Sequence, residues 1–155
     1  MKKLALALVL LAGCATSTGV VPTTEREAVA AAISGRHFDP DDPPEIARAP
    51  GSAATLLSLA RDAGEHPRYV AHRAASLLRH HRTPEVYAGL LELTRHQDDG
   101  VREASLASLG RGFVGAEHAA ELAALGRALR GDDDPGVRRA ARELLVRAKA
   151  HRFAD

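Results

Sequence analysis

Three stretches of the chain share one spacing of apolar positions. Val70–Leu78, Val101–Leu109 and Val137–Leu145 each open with Val, close with Leu eight residues later and carry a small residue at the fifth place, Ala74, Ser105 or Ala141. Steps of four and eight put these side chains on one helical face. The starts lie 31 and 36 residues apart, a period that fits two helices per repeat. His66-Pro67, Asp98-Asp99 and Asp134-Pro135 stand just before the three helices. Asp caps exposed N–H groups, and Pro is tolerated in a first turn.

The pattern predicts a further helix before each of these. Residues 52–62 offer Leu56, Leu57, Leu59 and Ala60; residues 84–95, opened by Thr83-Pro84-Glu85, offer Val86, Leu90, Leu91 and Leu93; residues 116–130 offer Ala119, Leu122, Ala123, Leu125 and Leu129. Gly64, Gly110, Gly112, Gly115 and Gly131 are predicted to fall between helices, where glycine ends them. Residues 23–34 read as one more helix, stopped at Gly35, that covers the open end of the stack. Residues 36–51 hold Pro40, Pro43, Pro44 and Pro50 and are predicted to be mostly loop. The fold class is therefore all-α: a short α-solenoid of about three helix pairs over residues 52–155, preceded by a capping helix and Pro-rich loop over 23–51.

The second and third stretches resemble the second helix of HEAT repeats, in the short bacterial form related to bilin lyases. That pattern runs Asp, a few residues, Val-Arg, two residues, Ala, then Ala-Leu. Asp98 or Asp99 with Val101-Arg102 fits it, as does Asp133 or Asp134 with Val137-Arg138. The first stretch departs, with Ala71 in place of the Arg and Arg73 where the others have Ala104 and Ala140. It is expected to be a degenerate or terminal repeat. The resemblance covers about residues 52–150 and implies a fold far more than an activity.

The first residues follow a different pattern. Met1-Lys2-Lys3 is a short positive start, Leu4 to Leu11 is unbroken apolar sequence, and Ala12-Gly13 leads to Cys14. This is the order of a secretory signal peptide, over residues 1–13. The apolar run is too short to span a bilayer, which takes roughly 20 residues. Leu11-Ala12-Gly13-Cys14 resembles the lipobox of bacterial lipoproteins at all four positions. That resemblance implies a diacylglyceryl group on the sulfur of Cys14, cleavage before it, and a lipidated tether over 14–22. It also implies an exported protein held to the bilayer by its acyl chains. In Gram-negative lipoproteins an Asp after the cysteine commonly retains the protein in the inner membrane. Ala15 here favours the outer membrane facing the periplasm, or the outer face of the cell membrane where there is only one.

Composition narrows the chemistry. Aromatics are 3% of the chain and Trp is absent, so the core must be built from Leu, Val and Ala. Without residues 1–13 the chain carries 19 basic and 20 acidic residues, not the basic excess of a nucleic-acid binder. One cysteine excludes an internal disulfide and any metal site of several thiolates. Some HEAT-repeat enzymes bind two irons through His-Glu dipeptides on these helices. The corresponding pairs here are Arg102-Glu103 and Arg138-Arg139, and His80-His81 point about 100° apart. The expectation is no metal, no cofactor, no small-molecule substrate and no catalytic constellation. Asp39-Pro40-Asp41-Asp42 lacks the Gly and distal Glu of a calcium loop and reads as solvated.

What remains is Arg. Arg102 and Arg138 of the repeat motif read either as part of an anion-binding row or as an inter-repeat ladder to Asp residues of neighbouring turns. The helices that line the inner surface of HEAT stacks carry Arg73, Arg79, Arg102, Arg138, Arg139 and Arg142, the candidate partner-binding residues. A positive groove of this kind suits an acidic peptide, a phosphate-bearing lipid or a polyanion, the other reading being a solvated, salt-bridged face; the partner is expected to be another envelope protein. The sequence thus points to a membrane-tethered interaction module; an envelope enzyme, or a chaperone dedicated to one, is the alternative on the same scaffold.

Overall fold

The computed structural model describes residues 24–62 and 64–152. Its regular elements are all helical: α1 (Glu25–Ile33), α2 (Glu45–Arg48), α3 (Ser52–Arg61), α4 (Arg68–Leu77), α5 (Pro84–Leu93), α6 (Asp99–Gly112), α7 (Ala119–Ala128) and α8 (Pro135–Arg152), with 3-10 turns at Leu78–His80 and Leu129–Gly131. The pairs α3/α4, α5/α6 and α7/α8 are the three repeats. The two helices of a pair pack on each other, and the second helices α4, α6 and α8 also pack in series. At the other end α1 lies against α3 and α4. The architecture is a short α-solenoid.

Local chemistry starts the helices where the sequence places them. Asp98 Oδ1 accepts from the Val101 amide at 3.1 Å, and Asp134 Oδ1 from the Val137 amide at 2.9 Å. Thr83 caps α5 in the same way, with Pro84 in its first turn. Thr24 and Glu27 form a reciprocal capping box on α1. Each cap satisfies N–H groups that the first helical turn leaves without an internal acceptor.

The repeated positions are the core. Val70, Val101 and Val137 are buried, as are Leu78, Leu109 and Leu145. Ala74, Ser105 and Ala141, the small residues between them, have no exposed surface. Ser105 is tolerated there because its hydroxyl donates to the Val101 carbonyl, 2.7 Å away. Ser108, also buried, donates to the Ala75 carbonyl at 2.8 Å and so ties α6 to α4.

Two expectations need correction. Gly110 and Gly112 lie inside α6 rather than after it. Gly112 is there for close approach: a Cβ would sit 2.9 Å from the Arg79 carbonyl oxygen and 3.2 Å from its Cα. Gly126 plays the same part where α7 crosses α8, a Cβ there meeting the Ala141 carbonyl at 2.8 Å. Nor is the acidic loop merely solvated. Asp41 pairs with Arg79 at 2.5 Å and Arg111 at 3.6 Å, and His80 Nε2 lies 2.8 Å from the Pro40 carbonyl. Buried His81 holds the Ala47 carbonyl at 2.8 Å. Residues 36–51, which include α2, are thus strapped to the first repeat.

Candidate functional site

Arginine side chains join the repeats to one another at regular intervals. Arg26 of α1 pairs with Asp62 at 2.9 Å, Arg68 of α4 with Asp98 at 2.5 Å, and Arg102 of α6 with Asp132 at 2.9 Å. Each acid belongs to the loop before the next second helix. These carboxylates also accept from nearby amides: Asp62 from Gly64 and Glu65 and Asp132 from Asp134 in the loops, and Asp98 from Val101 in the first turn of α6. The Arg102 guanidinium, above all, holds the Asp132 carboxyl below the usual aspartate range. For Asp98, partial burial pushes upward, but the bonds from Arg68 and the Val101 amide outweigh it and the net shift is downward. Arg68 was not among the sequence candidates. It stands two residues before Val70, while Arg102 stands one after Val101, so the first repeat keeps the rung from about one helical turn earlier.

The candidate arginines divide by what they hold. Arg73 donates to the carbonyls of Ile33 and Gly35 at 2.7 and 2.8 Å and lies over the rings of Phe38 and Tyr69 at 4.7 and 4.8 Å. It clasps the end of α1 to α4. Arg79 is buried on Asp41, and burial lowers its pKa from the ordinary arginine value. Arg102 uses Nε and Nη2 on Asp132 and Nη1 on the carbonyls of His96 and Gln97. The ladder reading therefore describes Arg102. Arg138 departs from it: its Nη1 donates to the Asp132 and Asp133 carbonyls, both at 2.8 Å, rather than to an Asp side chain.

Arg139 and Arg142 are exposed on α8. Arg139 is 64% exposed and pairs with Glu103 at 2.5 Å. Arg142, Arg147 and Lys149 are exposed and form no ion pair within 4 Å among the described residues. Between them stands Val146, 67% exposed and the most exposed large apolar side chain described. Arg142, Glu143, Val146 and Arg147 bound an open depression of about 430 Å³. The helix carries Arg138, Arg139, Arg142, Arg147, Lys149 and Arg152 against the single acid Glu143. The basic face thus lies at the end of the stack, and not as a continuous groove along it. Val146 was missed in the sequence; its signal is an apolar residue four positions after Arg142 and seven after Arg139, on the polar side of the helix.

Two other clusters stand apart from this face. Asp62, Glu65 and His66 bring one ligand atom each within 4.8 Å of one another, with Arg26 already seated on both carboxylates. The Tyr87 ring stacks on His118 at 4.0 Å and donates its hydroxyl to Glu121 at 2.6 Å. Burial, with that bond second, raises the Tyr87 pKa strongly, so the phenol stays protonated. Cys14 lies outside the described residues. Among the described residues no helix is long and apolar enough to cross a membrane.

No curated protein and no solved structure matches the chain. The family model of HEAT repeats matches residues 53–146, from within α3 to within α8 and more than half of the sequence. With three stacked helix pairs whose second helices carry the shared positions, the chain belongs to the HEAT repeat family.

Proposed function

We propose that the chain is a membrane-anchored interaction module of the bacterial cell envelope, an adaptor or scaffold that holds another envelope protein on its helical-repeat surface. HEAT repeats are generally scaffolds for protein–protein interaction. The observation that carries the reading here is the exposed face of α8. It gathers cations that form no ion pair among the described residues around an exposed Val146, whereas Arg73, Arg79 and Arg102 are engaged in internal contacts. A solvated apolar residue ringed by arginines is the composition of an interface centre, where Arg is enriched.

Lipidated Cys14 supplies the anchor, and the nine residues 14–22 form the tether ahead of α1. Extended, that tether spans at most roughly 30–32 Å. It holds the stack near the bilayer and leaves the α8 end able to face away from it. Ala15 favours the outer membrane in a Gram-negative cell.

The test has two arms. Cys14→Ala releases the protein from membranes into the soluble fraction; unchanged membrane fractionation sinks the anchor. Arg142→Glu with Arg147→Glu abolishes recovery of a partner from native envelopes while the circular dichroism spectrum holds; recovery undiminished by the reversal sinks the α8 face. Metal analysis of the purified protein checks the enzyme alternative: stoichiometric iron or zinc, seated on Asp62, Glu65 and His66 or elsewhere, would overturn the adaptor reading.

A further inference from the structure

Among the described residues Arg138 makes half of the rung that Arg102 makes. Arg102 lays Nη1 on carbonyls six and five residues back, His96 and Gln97, and this clamp presents its Nε–Nη2 edge to Asp132 of the following repeat. Arg138 repeats the first half of that arrangement. Its Nη1 lies on the carbonyls six and five residues back, Asp132 and Asp133. Its Nε and Nη2 have no acceptor within hydrogen-bond distance among the described residues. By the register of the repeat, that edge lies where the acid of a following repeat would sit. A planar guanidinium edge fixed at one nitrogen is preorganised for two parallel bonds to a carboxylate.

We infer that the α8 end of the stack receives an acid-capped helix of another protein, its carboxylate on the free edge of Arg138 and its apolar side on Val146. The inference rests on the α8 reading above and names the chemistry of its partner. The charge of the face selects an acidic partner, since Arg142, Arg147 and Lys149 form no ion pair among the described residues and Glu143 is the single acid of α8. A second copy presenting its own α8 would set like charges together, which opposes association. Inside the chain the same recognition occurs where Arg68 grips Asp98 and Asp99 at the start of α6. The partner thus extends the solenoid as one more repeat would.

The probe is a synthetic peptide of residues 96–112, which carries that natural Asp98–Asp99 cap, titrated into the full chain labelled with nitrogen-15. The Nε–Hε resonance of Arg138 and the amide of Val146 shift on binding. Binding weakens about tenfold or more when the peptide carries Asp98→Asn and Asp99→Asn, and likewise in the Arg138→Gln and Arg138→Lys proteins. Arg138→Lys keeps the charge and removes only the paired edge, so it separates recognition from simple attraction. No shift at Arg138 up to millimolar peptide, or equal binding of the Asn peptide, overturns the inference. So does a larger shift of the same resonances with phosphatidylglycerol vesicles, or self-association of the chain that Arg138→Gln abolishes. Peptide binding lost together with a partner still captured through Arg142 and Arg147 would sink this inference alone. Peptide binding intact with no envelope partner recovered would instead sink the adaptor reading.

Discussion

Removing Arg102 tests whether the rungs hold the stack together. Its guanidinium makes four hydrogen bonds: to both oxygens of Asp132 at 3.1 and 2.9 Å and to the His96 and Gln97 carbonyls at 3.0 and 3.2 Å. The two side chains are 18% and 12% exposed, so the pair is neither free in water nor fully dry. Exposed pairs contribute roughly 0–1 kcal/mol and breaking buried ones costs roughly 3–5 kcal/mol. Arg102→Ala falls between them, at about 2–3 kcal/mol, because it also removes the guanidinium donors from two loop carbonyls and a mostly buried carboxylate. With a urea dependence of about 2 kcal/mol per molar, the unfolding midpoint drops by about 1–1.5 M. Arg139→Ala is the control, since its pair with Glu103 is largely solvated, and is expected to cost under about 1 kcal/mol. Urea denaturation at neutral pH measures both. Equal, small effects of the two substitutions would refute the view that the Arg–Asp rungs bind repeat to repeat.

Three further outcomes follow from the packing and charges. Leu109→Ala, at a side chain with no exposed surface, destabilises by about 2–5 kcal/mol, and an unaltered melting temperature contradicts its place in the core. Gly126→Ala costs about 1–3 kcal/mol because its Cβ meets the Ala141 carbonyl; were the site an ordinary helix surface, the substitution would be neutral or stabilising. Acid weakens the stack by a defined route. Asp62, Asp98 and Asp132 have folded pKa values below the unfolded ones. Their contribution is therefore complete above the ordinary aspartate pKa and is lost as pH falls through the folded values. The urea midpoint stays level above about pH 5 and falls below about pH 4, with a shallower fall in Arg102→Ala; an equal fall in that variant would contradict the assignment to Asp132.

The period of Val, small residue and Leu made the second helices legible, because burial on one face imposes that spacing directly. The first helices, with the Thr83 start of α5, and the Asp98 and Asp134 starts of α6 and α8 were legible for equally local reasons. What escaped depends on contacts between distant positions. Gly110 and Gly112 look like helix stops in sequence, since close helix approach and helix termination both ask for glycine. The strap over residues 36–51 looks solvated until Arg79, His80 and His81 arrive some 40 residues later. The candidate arginines share a type and a helix row, but only the fold separates Arg73, which clasps α1, from Arg142, which faces solvent. Arg68 takes over the rung that Ala71 cannot make, and no motif with a fixed offset from Val70 would have found it.

The register of the stack is tested most directly by through-space proton contacts across the helix row. A Cβ on Gly112 would lie 3.2 Å from the Arg79 Cα, and one on Gly110 would lie 3.5 Å from a Leu144 methyl. Nuclear Overhauser spectra are predicted to show a Gly112 Hα–Arg79 Hα cross-peak joining the first and second repeats. They are also predicted to show a Gly110 Hα–Leu144 methyl cross-peak joining the second and third. A helical protein lacking both cross-peaks would contradict the stacked-repeat account.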